Sequence, residues 1–269
     1  MKAIDKIKKI KTIRLLLIPT YLTCINLIWF LKSQIFKTII KVSLDPLHKA
    51  LFFPVGHIAK ELFLGKFEKE ERHFIQNFLT TNSNVLNVGA NIGLYTIISG
   101  VICKNGNVFA FEPSQMNFKR LENNVLLNNL NNIHTYNLAA GEKNSVMKLF
   151  RDNLNPKLDS HFTLSNEGKT DSEIIGNVSV VALDTLLQEF PPFDLIIIDV
   201  EGHELDLIKG ARTLIKINKK SLIMMEVTKH NNEILELMKE LGFKPYVLQN
   251  KSTLILSNST HGNLFFKHI

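Results

Sequence analysis

Asn84-Val-Leu-Asn-Val-Gly-Ala-Asn-Ile-Gly-Leu-Tyr-Thr96 is the stretch on which the fold turns. Asn84 to Val88 reads as a first strand, of the kind buried in a parallel sheet. Gly89 to Gly93 reads as a turn, and Leu94 to Val101 as the helix that follows it. Strand, glycine turn and helix in immediate succession make one half of a nucleotide-binding βαβ unit. Gly89 allows a sharp turn and Gly93 a close approach of the helix to its surroundings. The glycine spacing is G-x-x-x-G rather than G-x-G-x-x-G, so the loop is not built to cradle a pyrophosphate.

Outward from that loop, apolar runs alternate with helical patterns. Asn107 to Glu112 is a second strand, with Pro113-Ser114 opening a helix through Leu127, and Ile133 to Leu138 is a third. Phe193 to Asp199 is almost wholly apolar, as a central strand covered on both faces must be. Glu204 to Ile217 reads as a helix and Ser221 to Val227 as a strand, then Asn231 to Leu241 as an amphipathic helix. Two last strands fall near Lys244–Leu248 and Thr253–Leu256. The sum is an α/β, doubly wound, Rossmann-like sheet of about seven strands, with ligand expected at the carboxyl ends of its central strands. The interval Gly141–Gly176 is polar and irregular, with short strands expected only at Met147–Arg151 and Val178–Val181. Such an insertion belongs over a substrate side. Asn123-Asn124 and Asn128-Asn129 read as surface and capping residues.

Two acidic positions stand where that sheet would place a ligand. Glu112 ends the second strand about twenty residues after the glycine loop, where a carboxylate can accept both hydroxyls of a ribose. Asp199-Val-Glu-Gly-His-Glu204 ends the most buried strand, so Asp199, Glu201 and His203 are expected in the crevice as catalytic candidates. Glu204 reads equally as a helix-start residue. So short a spacing defines no ligand geometry, and no metal is expected.

GANIGLYT, VFAFEPSQMNFKRLENN, VVALDTLL and FDLIIIDVEGHELDLIKGA, in that order, resemble the FkbM-family methyltransferases. Gly65-Lys-Phe-Glu-Lys-Glu-Glu71 is similar to the family's lead-in, and the likeness runs over about residues 65 to 230. The resemblance implies a class I methyltransferase fold, S-adenosyl-L-methionine as donor, and transfer to an oxygen of a natural product or glycan. It implies Gly89, Ala90, Asn91 and Gly93 on the methionine side, Glu112 at the ribose and Ala139 at the adenine. Asn87, Tyr95 and Thr96 complete the expected cofactor set. Two departures stand out: Asn87 where the family most often has Asp, and Ile197 where it often has Lys.

Charge separates the chain into unequal parts. Through residue 41 nine basic residues (Lys2, Lys6, Lys8, Lys9, Lys11, Arg14, Lys32, Lys37 and Lys41) face only Asp5. Of 32 basic and 25 acidic residues in all, this leaves 23 against 24 in the remainder. A near-neutral body argues against a nucleic-acid substrate, whose phosphates require a basic footprint. No N/D-P-P-Y/F segment ends the fourth strand, which argues against the nucleic-acid and N-methylating relatives. The missing G-x-G-x-x-G argues against a nicotinamide oxidoreductase, and a non-catalytic binding domain is the remaining alternative. Two cysteines, Cys24 and Cys103, give no disulfide framework and no zinc-thiolate spacing.

Leu15 to Leu31 carries no charge over 17 residues, but Pro19, Thr20, Thr23 and Asn26 make it a marginal span. It reads as helices packed on the domain, as a segment lying on an anionic membrane surface, or as a span. The expected organisation is therefore a basic, apolar helical extension over 1–64, a catalytic domain over 65–258 and a tail over 259–269. A cytoplasmic enzyme is expected, held at the inner face of a membrane through residues 1–41 if the second reading applies. Its expected partner is a small-molecule or glycan acceptor.

Overall fold

The computed structural model describes residues 23–44, 48–152, 162–164 and 172–269. The described part of α1, residues 23–30, runs into a π-helical turn at Leu31–Ile35. Strands β1 (Ile40–Ser43) and β2 (Lys49–Phe52) then pair antiparallel as a hairpin. Helices α2 (Gly56–Phe63) and α3 (Lys69–Phe78) lead to β3 (Val85–Val88), which is buried throughout. From there α4 (Leu94–Ile102), β4 (Val108–Phe111), α5 (Gln115–Leu127) and β5 (Ile133–Tyr136) complete the first half of the sheet.

A second, four-stranded sheet follows, made of β6 (Ala139–Ala140), β7 (Ser145–Asp152), β8 (Phe162–Thr163) and β9 (Ser172–Val181). A 3-10 turn at Leu183–Glu189 returns the chain to β10 (Leu195–Ile198). Helices α6 (Glu204–Lys209) and α7 (Arg212–Ile217), strand β11 (Leu222–Val227) and helix α8 (Asn231–Glu240) come next. Strands β12 (Phe243–Gln249), β13 (Thr253–Leu256) and β14 (Gly262–His268) end the chain.

The main sheet has eight strands in the order β13-β12-β14-β11-β10-β3-β4-β5. The block from β11 to β5 is parallel throughout, whereas β14 is antiparallel to both β11 and β12. The α/β class is as the sequence predicts. From β3 the chain winds outward to β4 and β5, then crosses to β10 on the other side of β3. That reversal opens a crevice at the carboxyl ends of β3 and β10.

Four expectations are corrected. Residues 259–269 are no tail: they hold β14, whose Leu264, Phe265 and Phe266 have no solvent exposure. Glycine, asparagine and polar neighbours around a single Leu-Phe-Phe run gave no period to read. The region before residue 65 is not purely helical, because its hairpin packs Ile40, Val42, Ala50 and Phe52 against Ile92 and Ile97 of the catalytic domain. The interval after Gly141 carries two strands of eight and ten residues in place of short fragments. The single helix expected over 204–217 is two, broken at Gly210, where a Cβ would lie 1.9 Å from the Gly141 carbonyl oxygen.

Asn124 and Asn128 are also more than surface residues. The Asn128 side chain accepts from Leu51 N and donates to Leu51 O, and Asn124 accepts from Phe53 N. Together they satisfy backbone groups of Leu51 in β2 and of Phe53 just after it. Asn124 also donates to the Ile92 carbonyl at 2.8 Å, tying the hairpin to the glycine loop.

Candidate active site

Strand tips build the site. Gly89 and Ala90 both donate to the carbonyl of Phe111, and Asp199 donates to that of Val88, so the exits of β3, β4 and β10 are fastened side by side. Gly89 (φ 85°) and Asn91 (φ 52°) take the left-handed conformation needed to leave a strand so abruptly. Gly93 (φ 91°) is the residue before α4, and a Cβ there would press to 2.5 Å from Leu121 of α5. Its role is helix packing.

Between these tips lies a cleft. Gly89, Asn91, Glu112, Ala139, Asp199 and Glu201 line it, joined by Leu149, Phe162 and Leu164 of the second sheet. That sheet is held over the crevice in part by the Thr163 hydroxyl, which donates to the Glu201 carbonyl at 2.7 Å.

Glu112 is 5% exposed, and each of its oxygens accepts one backbone amide at 2.8 Å, Asn91 N on Oε2 and Ser114 N on Oε1. Burial nonetheless pushes its carboxyl up to about 7, against the pull of those two donors. A carboxylate has about four lone-pair sites, so two remain for other hydroxyls. Asn137, which the sequence did not single out, donates to the carbonyls of Glu112 and Pro113 at 2.8 and 3.1 Å and fixes this exit.

Asp199 lies partly open to the cleft, while its Oδ1 is shielded and has no hydrogen-bond partner among the described residues. Parallel register sets Ile198 beside Met225, which brings Glu226 next to Asp199 at the following step, and the two carboxyls hydrogen-bond. Burial first, then Glu226, Glu201 and Glu68, holds the Asp199 carboxyl well above the ordinary carboxylate range. Glu201 (φ 54°) and Gly202 (φ 95°) turn the chain away from β10 directly afterwards.

The remaining candidates lie outside this lining. Asn87 donates to Thr96 Oγ1 at 2.9 Å, a buried pair beneath the glycine loop. Ala90 packs with Ala110 and Leu121. Tyr95 donates to Glu68 Oε2 at 2.6 Å, and burial pushes the Glu68 carboxyl up to about 7. His203 is 7% exposed, with Nδ1 3.5 Å from Asp206 Oδ2, and a Cβ on Gly141 would meet its Nε2 at 3.2 Å. Burial lowers its pKa, keeping the ring neutral. Among the described residues no group of three or more His, Cys, Asp or Glu side chains is arranged to hold a metal ion.

The family model described as "Methyltransferase FkbM domain" matches residues 87–245. Methyltransferase 1 of Beauveria bassiana (strain ARSEF 2860) is 25% identical over 175 residues, which is 58% of this chain and 67% of that protein. Among solved structures, Methyltransferase FkbM from Methylobacillus flagellatus KT is similar at 14% identity and a TM-score of 0.47. The likeness covers 78% of this chain but only 54% of that one. M. jannaschii TYW2 in complex with AdoMet is similar at 16% identity and a TM-score of 0.41, over 87% and 88% of the two chains.

Proposed function

This chain belongs to the FkbM methyltransferase family, and from that premise we propose that it is an S-adenosyl-L-methionine-dependent O-methyltransferase. Its acceptor, on this reading, is a hydroxyl of a glycan, a lipid-linked sugar or another small natural product. The observation that carries the proposal is the convergence of Gly89, Asn91, Glu112 and Asp199 on one cleft.

The residues present fit the donor. Glu112 keeps acceptor capacity after taking two amides, which suits a pair of ribose hydroxyls. Ala139, Leu138 and Leu164 supply an apolar wall suited to a flat adenine. The glycine loop brings backbone rather than side chain to the cleft at Gly89, which suits the slender methionine portion. When bound, the donor supplies a methyl group already activated on a sulfonium sulfur.

What the chain itself must do is align the acceptor, shed water and take one proton. Asp199 is assigned that proton. Among the described residues its Oδ1 has no hydrogen-bond donor, and a carboxylate destabilised by burial and by neighbouring acids is a stronger base once ionised. With the donor bound, Asp199 would take the proton that the acceptor hydroxyl loses as its oxygen gains the methyl group, the carbon–sulfur bond breaking with its electron pair left on sulfur. Glu201 lines the same wall and is the second candidate for orienting the hydroxyl. His203 does not reach the lining, so no proton step is assigned to it. Leu149 and Phe162 of the second sheet close the cleft on the side away from the strand tips.

Calorimetric titration with S-adenosylhomocysteine tests the donor site, and failure to bind it would end the proposal. Transfer of a labelled methyl group into fractionated glycan and lipid material tests the acceptor class. Asp199→Asn should bind S-adenosylhomocysteine within a few-fold of the parent and lose transfer by about 100-fold or more. Full transfer by that variant removes Asp199 from its role.

A further inference from the structure

Helix α1 touches the body of the protein along a narrow line. Trp29 packs on Phe63 of α2 with ring centroids 5.6 Å apart, Ser33 is buried, and Asn26 accepts from Lys60 at 2.8 Å. Away from that line the same segment turns large apolar side chains to solvent: Leu27 is 56% exposed, Phe30 53%, Ile35 57% and Phe36 70%. Ile28 is 45% exposed as well. Five large hydrophobic side chains exposed within ten residues are costly to leave in water, and such a concentration marks a segment that is covered in use.

Charge says what covers it. In sequence these residues are interleaved with Lys32, whose ammonium lies over the Phe63 ring at 5.1 Å, and Lys37, and are preceded by six basic residues against one acidic. Lys41, at the end of this segment, opens onto a groove lined also by Lys69, Arg72, His73 and Lys251, with no carboxylate among its described lining residues. Like charges of this density oppose a second copy of the same face, whereas an anionic lipid surface attracts and neutralises them.

We infer that α1 and its flanking lysines dock the enzyme on an anionic membrane surface, with Leu27, Ile28, Phe30, Ile35 and Phe36 entering the headgroup boundary. Among the described residues no helix is long and apolar enough to cross a membrane. Residues 1–22, which hold eight of the 17 residues of the uncharged run from Leu15, lie outside the described residues and contribute here through their charge alone.

The experiment is co-sedimentation of the full chain with vesicles of phosphatidylcholine alone or with 30% phosphatidylglycerol. Binding to the anionic vesicles, at least tenfold weaker on the neutral ones and weakened again by 0.5 M salt, is expected. The triple variant Leu27→Ser, Phe30→Ser, Phe36→Ser should lose at least tenfold in vesicle binding. It should keep its thermal midpoint and its affinity for S-adenosylhomocysteine, because these side chains face away from the core. Equal binding of variant and parent, or a dimer in light scattering that the variant abolishes while neither protein binds vesicles, overturns the inference. If the variant misfolds, Lys32→Gln with Lys37→Gln should still weaken anionic binding, and unchanged binding by that pair counts against it.

Discussion

A Cβ placed on Gly89 would lie 1.7 Å from the carbonyl oxygen of Asp199. The two strand tips that frame the crevice are thus in backbone contact across it, with no room for the smallest side chain. Gly89→Ala combines that clash with a left-handed φ of 85°. The variant should lose about 3 kcal/mol or more in urea unfolding and bind S-adenosylhomocysteine at least tenfold more weakly. Gly65→Ala is the comparison: it shares a positive φ of 68° but has open space around it, and should cost only about 1 kcal/mol with binding intact. Equal effects at the two positions would show that the strand-tip contact is not what matters.

Donor binding should depend on pH through Glu112. In the free protein its carboxyl ionises near 7, and hydroxyl donors favour the ionised form. Affinity for S-adenosylhomocysteine therefore rises with pH from about 6 to 8 and levels off above. Binding below pH 7 should release a proton, visible as a dependence of the calorimetric heat on the buffer's ionisation enthalpy. Glu112→Gln replaces one acceptor oxygen by a donor facing a backbone amide, and should weaken binding by tenfold or more while flattening the pH curve. A slope that survives in Glu112→Gln assigns the titration to another group.

The crevice was legible because three local signals coincide there: a glycine bend, an acid at the next strand end, and an acid after the most apolar run. Gly89, Glu112 and Asp199 accordingly meet where the sequence puts them. Asn137, Asn124 and Glu226 were not legible, because each matters through a partner distant in sequence or on a neighbouring strand. Register alone brings Glu226 beside Asp199, and periodicity carries no information on register between strands. His203 was drawn to the site by its neighbours in sequence. At the junction into α6 its ring turns toward Gly141 instead, one residue past a left-handed pair that reverses the chain. The second sheet was hidden for a different reason. The middle of β9 is largely exposed, so its residues lack the apolar alternation by which strands are recognised.

The last seven-residue strand makes a strong demand on stability. Phe266 sits opposite Ile223 of β11 and Pro245 of β12, and Phe265 meets Phe74 of α3 edge-on at 5.1 Å. Phe266→Ala should cost about 3–5 kcal/mol, read as a shift in the urea midpoint at constant slope. Truncation at residue 258 removes the strand that joins β11 to β12, and should leave no cooperative unfolding transition. A truncated chain that unfolds like the parent would mean that β14 is dispensable.

Glu204 offers a route to stabilisation whose sign depends on pH. It is 1% exposed; Oε1 accepts from Gly202 N at 2.8 Å, whereas Oε2 is buried without a hydrogen bond among the described residues. Burial raises its carboxyl to about 7 from an ordinary 4.5. Between those values the folded protein holds a proton that the unfolded chain has released, so this group's contribution falls as pH rises through the window and stays low above it. Glu204→Gln keeps an acceptor for Gly202 and cannot ionise. It should be more stable than the parent by about 1–3 kcal/mol at pH 8 and no more stable at pH 5. The readout is the difference between the two proteins at each pH in urea, because Glu68 and Glu112 give both the same underlying slope. A difference that does not change with pH would mean that the Glu204 carboxyl ionises in the fold as it does in the unfolded chain.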